Sequence, residues 1–365
     1  MAEQIPGIPG ALERLTAIAQ NALKIATTKA TIGSTPRRAI WTLNKATLYQ
    51  YTPVVPAEER HPVPLVLVFA LMNKASILDL RPGNSFVEHM LRRGYDIYLL
   101  DWGSPGPEDG NLGLEDYVLE YLPRALRKVK AVSGSESFTV LGWCIGALLS
   151  TLYASVRPDD GLKNLILLTA PLDFSNHEAI SLARMAAERN FDVDRMLAAH
   201  GNMPAEMLDY GAKMLKPVEN FVGSYVRLLD NLHDRRVVES WHAMNTWVND
   251  GIPMAARTYR QLVVEMYREN RLMNGTLALR GEKVDLGQLR ANLLNVIAED
   301  DHITPPCQSE TVVEKVGSAD KVVLRVPGGH IGIMAGSSAA KGLWPKIDAW
   351  LAERSGEPDE ATTGE

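Results

Sequence analysis

Gly142-Trp143-Cys144-Ile145-Gly146 joins the apolar run Phe138–Gly142 to the Ala- and Leu-rich stretch Ile145–Val156. The first stretch reads as a buried strand and the second as a helix, so the pentapeptide is a sharp strand-to-helix turn. Such a turn needs small residues two positions before and two after its centre, because strand and helix must approach closely. Gly142 and Gly146 meet that need, and Ala147 keeps the helix start slim. Cys144 then projects from the bend, where a nucleophile elbow holds its reactive atom. A structural thiol, which behaves as a small hydrophobe, has no use for these constraints.

An acidic pair, Asp300 and Asp301, and then His330 follow in the chain, each just past a strand-like run, Leu293–Ala298 and Val322–Val326. Nucleophile, acid, histidine is the chain order of the α/β-hydrolase triad, here with sulfur in place of oxygen. In that arrangement His330, in a Gly-Gly-His loop, draws the proton from the Cys144 thiol. A carboxylate holds its tautomer and offsets its charge, and residue type alone does not choose between Asp300 and Asp301. The backbone N–H of Ile145, at a helix N-terminus, faces a developing oxyanion. The second oxyanion donor is expected from the loop after Leu65–Leu71, at Met72. His302 reads as a structural neighbour of the acid, and Cys307, just past two prolines, as a bystander at a helix start.

Outward from the elbow, Ile40–Tyr51 reads as one or two strands, and Leu65–Leu71 as a strand buried on both faces. A helix over Ser85–Arg93, a strand over Asp96–Asp101, a long helix over Leu114–Val132 and a strand over Leu165–Thr169 follow. Strands alternating with helices predict a mostly parallel sheet flanked by helices. From about Ser175 to Leu289 the pattern is helical, with many Met residues and no buried strand run. The expected organisation is an N-terminal helical segment (1–37), an α/β-hydrolase core (38–174 and 290–354), an inserted, mainly helical cap (175–289) and a disordered acidic tail (355–365). Leu12, Leu15, Ile18, Ala19, Ala22, Leu23 and Ile25 form the stripe of the first helix, which packs on the body or offers a docking face to a partner subunit.

Composition sets outer limits. The 365 residues are 46% apolar and 22% charged, close to the globular average. A net charge of -6 argues against nucleic-acid binding. Two cysteines supply neither a disulfide framework nor metal-type spacing, so no metal is expected. The N-terminus carries no signal-peptide pattern and no apolar stretch reaches the length of a membrane span, so an intracellular protein is expected.

Sulfur at the elbow narrows the chemistry. A cysteine–acyl thioester is nearly isoenergetic with a coenzyme A thioester, so an acyl group held there stays activated for a second transfer. An oxygen ester dissipates that free energy at the first step. The chain resembles the polyhydroxyalkanoate synthases, particularly the short class III catalytic subunit, from about Ile40 to Leu351. The matching segments are Phe69-Ala70-Leu71-Met72-Asn73, Leu78-Asp79-Leu80-Arg81-Pro82, Asp96–Gly103, the elbow, Thr169–Phe174, Ala298–His302 and Pro327–Gly332. Two departures stand out: Ala147 replaces a second glycine, and Trp143 is bulky.

The resemblance implies that Cys144, Asp301 and His330 are the catalytic residues, the family's aspartate being the one followed by histidine. It implies polymerisation of (R)-3-hydroxyacyl-coenzyme A, with coenzyme A released and the thioester acting as substrate, so no bound cofactor is expected. It also implies a second synthase subunit, a homodimer, and a cytoplasmic enzyme at the surface of polyester granules, without the long N-terminal domain of class I and II enzymes. The alternative on the same fold is a cysteine-dependent thioesterase, lactone hydrolase or polyester depolymerase. A non-catalytic granule-binding protein is a third.

Overall fold

The computed structural model describes residues 8–188 and 191–356. Residues 1–7 of the expected N-terminal segment, 189 and 190 of the expected cap and 357–365 of the expected tail lie outside the described residues. Helix α1 (Ile8–Thr27) is followed by an antiparallel hairpin, β1 (Arg37–Leu43) and β2 (Ala46–Tyr51), turned at Asn44. Then come β3 (Leu65–Val68), α2 (Phe86–Leu91), β4 (Ile97–Asp101) and α3 (Leu114–Asp116), which passes through a π turn into α4 (Leu122–Ser133). Strand β5 (Phe138–Trp143), helix α5 (Ile145–Val156) and strand β6 (Leu162–Leu168) complete the first half.

Among the described residues, eight strands form the main sheet in the order β1-β2-β4-β3-β5-β6-β9-β10, where β9 is Asn292–Ala298 and β10 is Lys321–Val326. From β4 to β10 all neighbours run parallel, while β2 meets β4 antiparallel. The chain steps from β3 outward to β4 and returns to place β5 on the other side of β3. The order therefore reverses between β3 and β5, the kind of crevice where open α/β sheets bind ligands. Inner strands are apolar throughout because both faces are covered. Leu65–Val68 and Phe138–Trp143 are buried at every position.

The expected strand over Leu65–Leu71 leaves the ladder after Val68, where the Phe69 carbonyl accepts instead from Trp102 Nε1 (3.0 Å). That bond diverts the chain toward the crevice. The helix expected over Leu114–Val132 is present but interrupted by the π turn at Tyr117–Tyr121. It ends at Gly134, whose positive φ of 75° lets its N–H reach the Lys130 carbonyl.

Between β6 and β9 run α6 (Ser181–Ala187), α7 (Val193–His200), α8 (Ala205–Lys213), α9 (Ser224–Asp230), α10 (Arg235–Val248) and α11 (Ala256–Gln261). The segment is not wholly helical, since a two-residue hairpin, β7 (Ala278–Leu279) with β8 (Glu282–Lys283), closes it. Buried Glu115 pairs with Arg257 and accepts from Gln261 Nε2 (2.9 Å), fastening α11 to the core. Asp173, after β6, accepts from Asn270 Nδ2 (3.0 Å) and from Thr311 Oγ1 (2.9 Å), clasping the far end of the segment. Helices α12 (Cys307–Glu310), α13 (Val312–Lys315), α14 (Gly332–Ala335) and α15 (Leu343–Ala352) complete the chain.

Helix α1 packs on α10 rather than on the sheet. Asn21 Nδ2 donates to the Leu232 carbonyl (2.9 Å), and the Ala30 N–H donates to Thr246 Oγ1 (3.1 Å). No helix of the described residues is long and apolar enough to cross a membrane.

The link from α1 to the core converges on Asp79, a carboxylate only 1% exposed. It accepts from the Thr35 N–H (2.8 Å), Thr35 Oγ1 (2.7 Å) and Ser85 Oγ (2.7 Å). Asp79→Ala strands these donors away from water and is expected to cost about 1–3 kcal/mol. Urea denaturation followed by tryptophan fluorescence measures the loss. A change within error would mean that the donors find other acceptors.

Candidate active site

Cys144 sits between β5 and α5 with φ 58° and ψ -123°, a conformation that side chains rarely adopt. What enforces it is crowding at the two glycines. A Cβ on Gly142 would lie 2.6 Å from Ala147 Cα, and one on Gly146 would lie 2.2 Å from the Val68 carbonyl oxygen. The Cys144 N–H donates to the Leu168 carbonyl on β6 (3.0 Å), and its carbonyl accepts from the Ala147 (2.9 Å) and Leu148 (3.2 Å) N–H groups. The strained residue is thus held by the sheet on one side and by the first helical turn on the other. Its side chain lines a cavity of about 490 Å³ although the residue is only 9% exposed.

The ends of β9 and β10 bring the acid and the histidine together. The two strands pair in parallel to Val326↔Ala298, and bonds from Glu299 N–H to the Val326 carbonyl and from Asp300 N–H to the Gly328 carbonyl carry the pairing beyond them. Asp301 Oδ2 accepts from His330 Nδ1 at 2.6 Å. Asp301 Oδ1 accepts from the Ile303 and Thr304 N–H groups, both at 2.8 Å, so a tight turn fixes the carboxylate. Asp300 faces elsewhere, with Oδ2 accepting from the Gly328 N–H (3.1 Å).

His330 is buried, and burial works against its charge. The Asp301 carboxylate and the Cys144 sulfur, each through charge and a hydrogen bond, outweigh burial and push its pKa up to about 10. Thiol, imidazole and carboxylate therefore form one connected set, of which the thiol and the imidazole line the cavity. Ile145 opens α5 behind the thiol, and Met72 lines the same cavity as Cys144.

His302 also lines the cavity. Burial and then Lys216 lower its pKa. Cys307 stands apart at the start of α12, its pKa raised by burial and then by Glu310 and Asp173. Phe69 and residues that sequence reasoning did not single out complete the walls, among them Tyr225, Trp241, Trp247, Asn245 and Asn249. All but Phe69 lie on α9, on α10 or just past it. Helical periodicity marks an apolar face there without saying which face meets the crevice.

A family model described as the alpha/beta hydrolase fold matches residues 75–337, and one described as the poly-beta-hydroxybutyrate polymerase (PhaC) N-terminus matches residues 11–90. The chain is similar to poly(3-hydroxyalkanoate) polymerase subunits PhaC of Haloferax mediterranei (38% identity, 89% of this chain and 65% of that one) and Allochromatium vinosum (34%, 88% and 90%). It is similar to that of Synechocystis sp. as well (35%, 88% and 86%). It thus spans just under two thirds of the Haloferax relative's length. Among solved structures, DcsB in complex with its substrate analogue (17% identity, TM-score 0.54, 87% of this chain and 98% of that one) shares the fold. So does a thermophilic esterase of Thermogutta terrifontis (14%, 0.51, 90% and 98%).

Two outcomes follow from this geometry. Gly146→Ala drives a methyl group into the Val68 carbonyl and is expected to destabilise by at least about 1–3 kcal/mol. Gly211→Ala in α8, where a Cβ meets open space, stabilises by about 0.5–1 kcal/mol. Thermal unfolding of the pair checks the opposite signs. Folding also favours the charge on His330, so its contribution to stability is full below 6.5, its ordinary value, and is lost as pH rises toward about 10. Urea curves of wild type and His330→Gln should converge between those limits, and a gap that widens with pH would contradict this account.

Proposed function

The chain belongs to the PhaC family of poly(3-hydroxyalkanoate) polymerases, and from that premise we propose that it polymerises (R)-3-hydroxyacyl-coenzyme A through an acyl thioester on Cys144. The observation that carries this reading is a thiol on a strained elbow, coupled to an imidazole that a buried carboxylate holds at 2.6 Å.

In the proposed cycle Cys144 has given its proton to His330, and the thiolate of that pair attacks the carbonyl carbon of the substrate thioester. The N–H groups of Ile145 and Met72 stabilise the oxyanion. The C–S bond to coenzyme A breaks, and the departing sulfur takes the proton from His330. The hydroxyl of a second acyl unit then loses its proton to His330 and attacks the Cys144 thioester. An ester bond forms, the C–S bond to Cys144 breaks, and the Cys144 sulfur takes the proton back from His330. Asp301 keeps Nδ1 protonated, leaving Nε2 to carry the moving proton. The cycle uses only the chain's own side chains and backbone.

Polymerisation rather than hydrolysis requires that water be kept from the Cys144 thioester. The proposal extends to a second synthase subunit and a homodimer with the cap segment as contact. Val218, Val222, Val226 and Leu229 expose apolar side chains there, as Leu15 and Leu23 do on α1.

The test follows coenzyme A release from 3-hydroxybutyryl-coenzyme A together with the mass of the product. Cys144→Ala abolishes turnover and the acylated species seen by mass spectrometry, and His330→Gln slows turnover by about 10²–10⁴. Free hydroxy acid with no oligomer, in the presence of any partner subunit, would overturn the polymerase reading in favour of a thioesterase.

A further inference from the structure

Trp143 immediately precedes Cys144 and is fully buried, yet its indole Nε1–H is enclosed without a hydrogen-bond partner. The neighbouring indoles differ. Trp102 Nε1 donates to the Phe69 carbonyl (3.0 Å), and Trp247 Nε1 donates to the Lys74 carbonyl (2.7 Å). A buried donor left unpaired is costly, and leucine or methionine at this position would avoid the cost. Something other than filling the core therefore favours an aromatic ring here.

What the ring touches supplies the reason. Its centroid lies 5.1 Å from Phe69, edge-on, and 6.3 Å from the His330 imidazole at an interplanar angle of 37°. Phe69 in turn packs against Trp247 of α10 at 6.4 Å, so the indole is buttressed from the cap side. The elbow thus presents two consecutive side chains to one imidazole, the thiol of Cys144 and the ring of Trp143. A protonated His330 is a cation only 5% exposed, with an aromatic ring centred 6.3 Å away.

We propose that Trp143 is a positioning residue for His330: its indole backs the imidazole, keeps it in line between Asp301 and Cys144, and favours its cationic form. The proposal rests on the reading of His330 as proton acceptor. The other charged or titratable groups around the imidazole are Asp301 and His302 from the loop after β9, and Cys144 from the elbow. From the cap, Lys216 and Glu219 act on His302. Substitution of Trp143 removes none of these groups.

The test follows the His330 titration by NMR of isotope-labelled histidine, the resonance being assigned by its loss in His330→Gln, alongside kcat and KM for 3-hydroxybutyryl-coenzyme A. Trp143→Leu should move the His330 midpoint down by about half a unit to one and a half units. It should lower kcat several-fold while KM stays within about twofold. Trp143→Phe, which keeps an aromatic face, should retain most of both. If Trp143→Leu fails to fold, Trp143→Met is the non-aromatic variant to read, since an unbranched thioether fills irregular gaps without a π system. An unmoved midpoint in the non-aromatic variant overturns the proposal, as does a Trp143→Phe shift as large as that of Trp143→Leu. Unimpaired turnover by His330→Gln would instead overturn the reading on which the proposal rests, whatever the midpoints show.

Discussion

At Gly142 and Gly146 strand β5 and helix α5 come so close that neither position admits a side chain, and Cys144 between them is driven to positive φ. The constraint is covalent and steric, and it is sustained by burial: every residue of α5 is buried. The free energy of packing that helix against the sheet is what holds a strained residue in place. Because β5 lies at the point where strand order reverses, the strain is spent on the edge of the sheet that faces the crevice.

The acid and the histidine obey a different constraint. Both hang from strand ends, and backbone bonds beyond β9 and β10 keep the two loops in step, so the reach from Asp301 to His330 is set by the sheet. The carboxylate in turn is pinned by two N–H groups of its own loop. Such a pair is electrostatically stiff. Burial opposes the charge of the imidazole, and only its two fixed neighbours restore it. A small displacement of either neighbour is felt strongly where water does little screening.

These constraints explain what could be read before any coordinates. Cys144 and His330 were legible because small residues and strand ends leave clear marks in a sequence. Asp301 could not be separated from Asp300 by residue type, since adjacent residues at a strand end differ only in the direction they face. Only resemblance selected Asp301; in the structure its carboxylate meets His330, while that of Asp300 turns back to Gly328. The early exit of β3 after Val68 was invisible because it depends on Trp102, more than thirty residues away. The cavity wall from α9 and α10 was likewise unreadable. Helical periodicity gives an apolar face, but the docking of α10 is fixed by distant contacts such as Trp247 with the Lys74 carbonyl and Ser240 with Arg81.

The second sulfur closes the account. Cys307 is half-buried at a helix start, where burial and two nearby carboxylates keep its proton on. At neutral pH it is a poor partner for electrophiles, which react with thiolates. Alkylation of the folded molecule at Cys307 is therefore slow, so an electrophile that reads Cys144 on the elbow meets little competition from the second thiol.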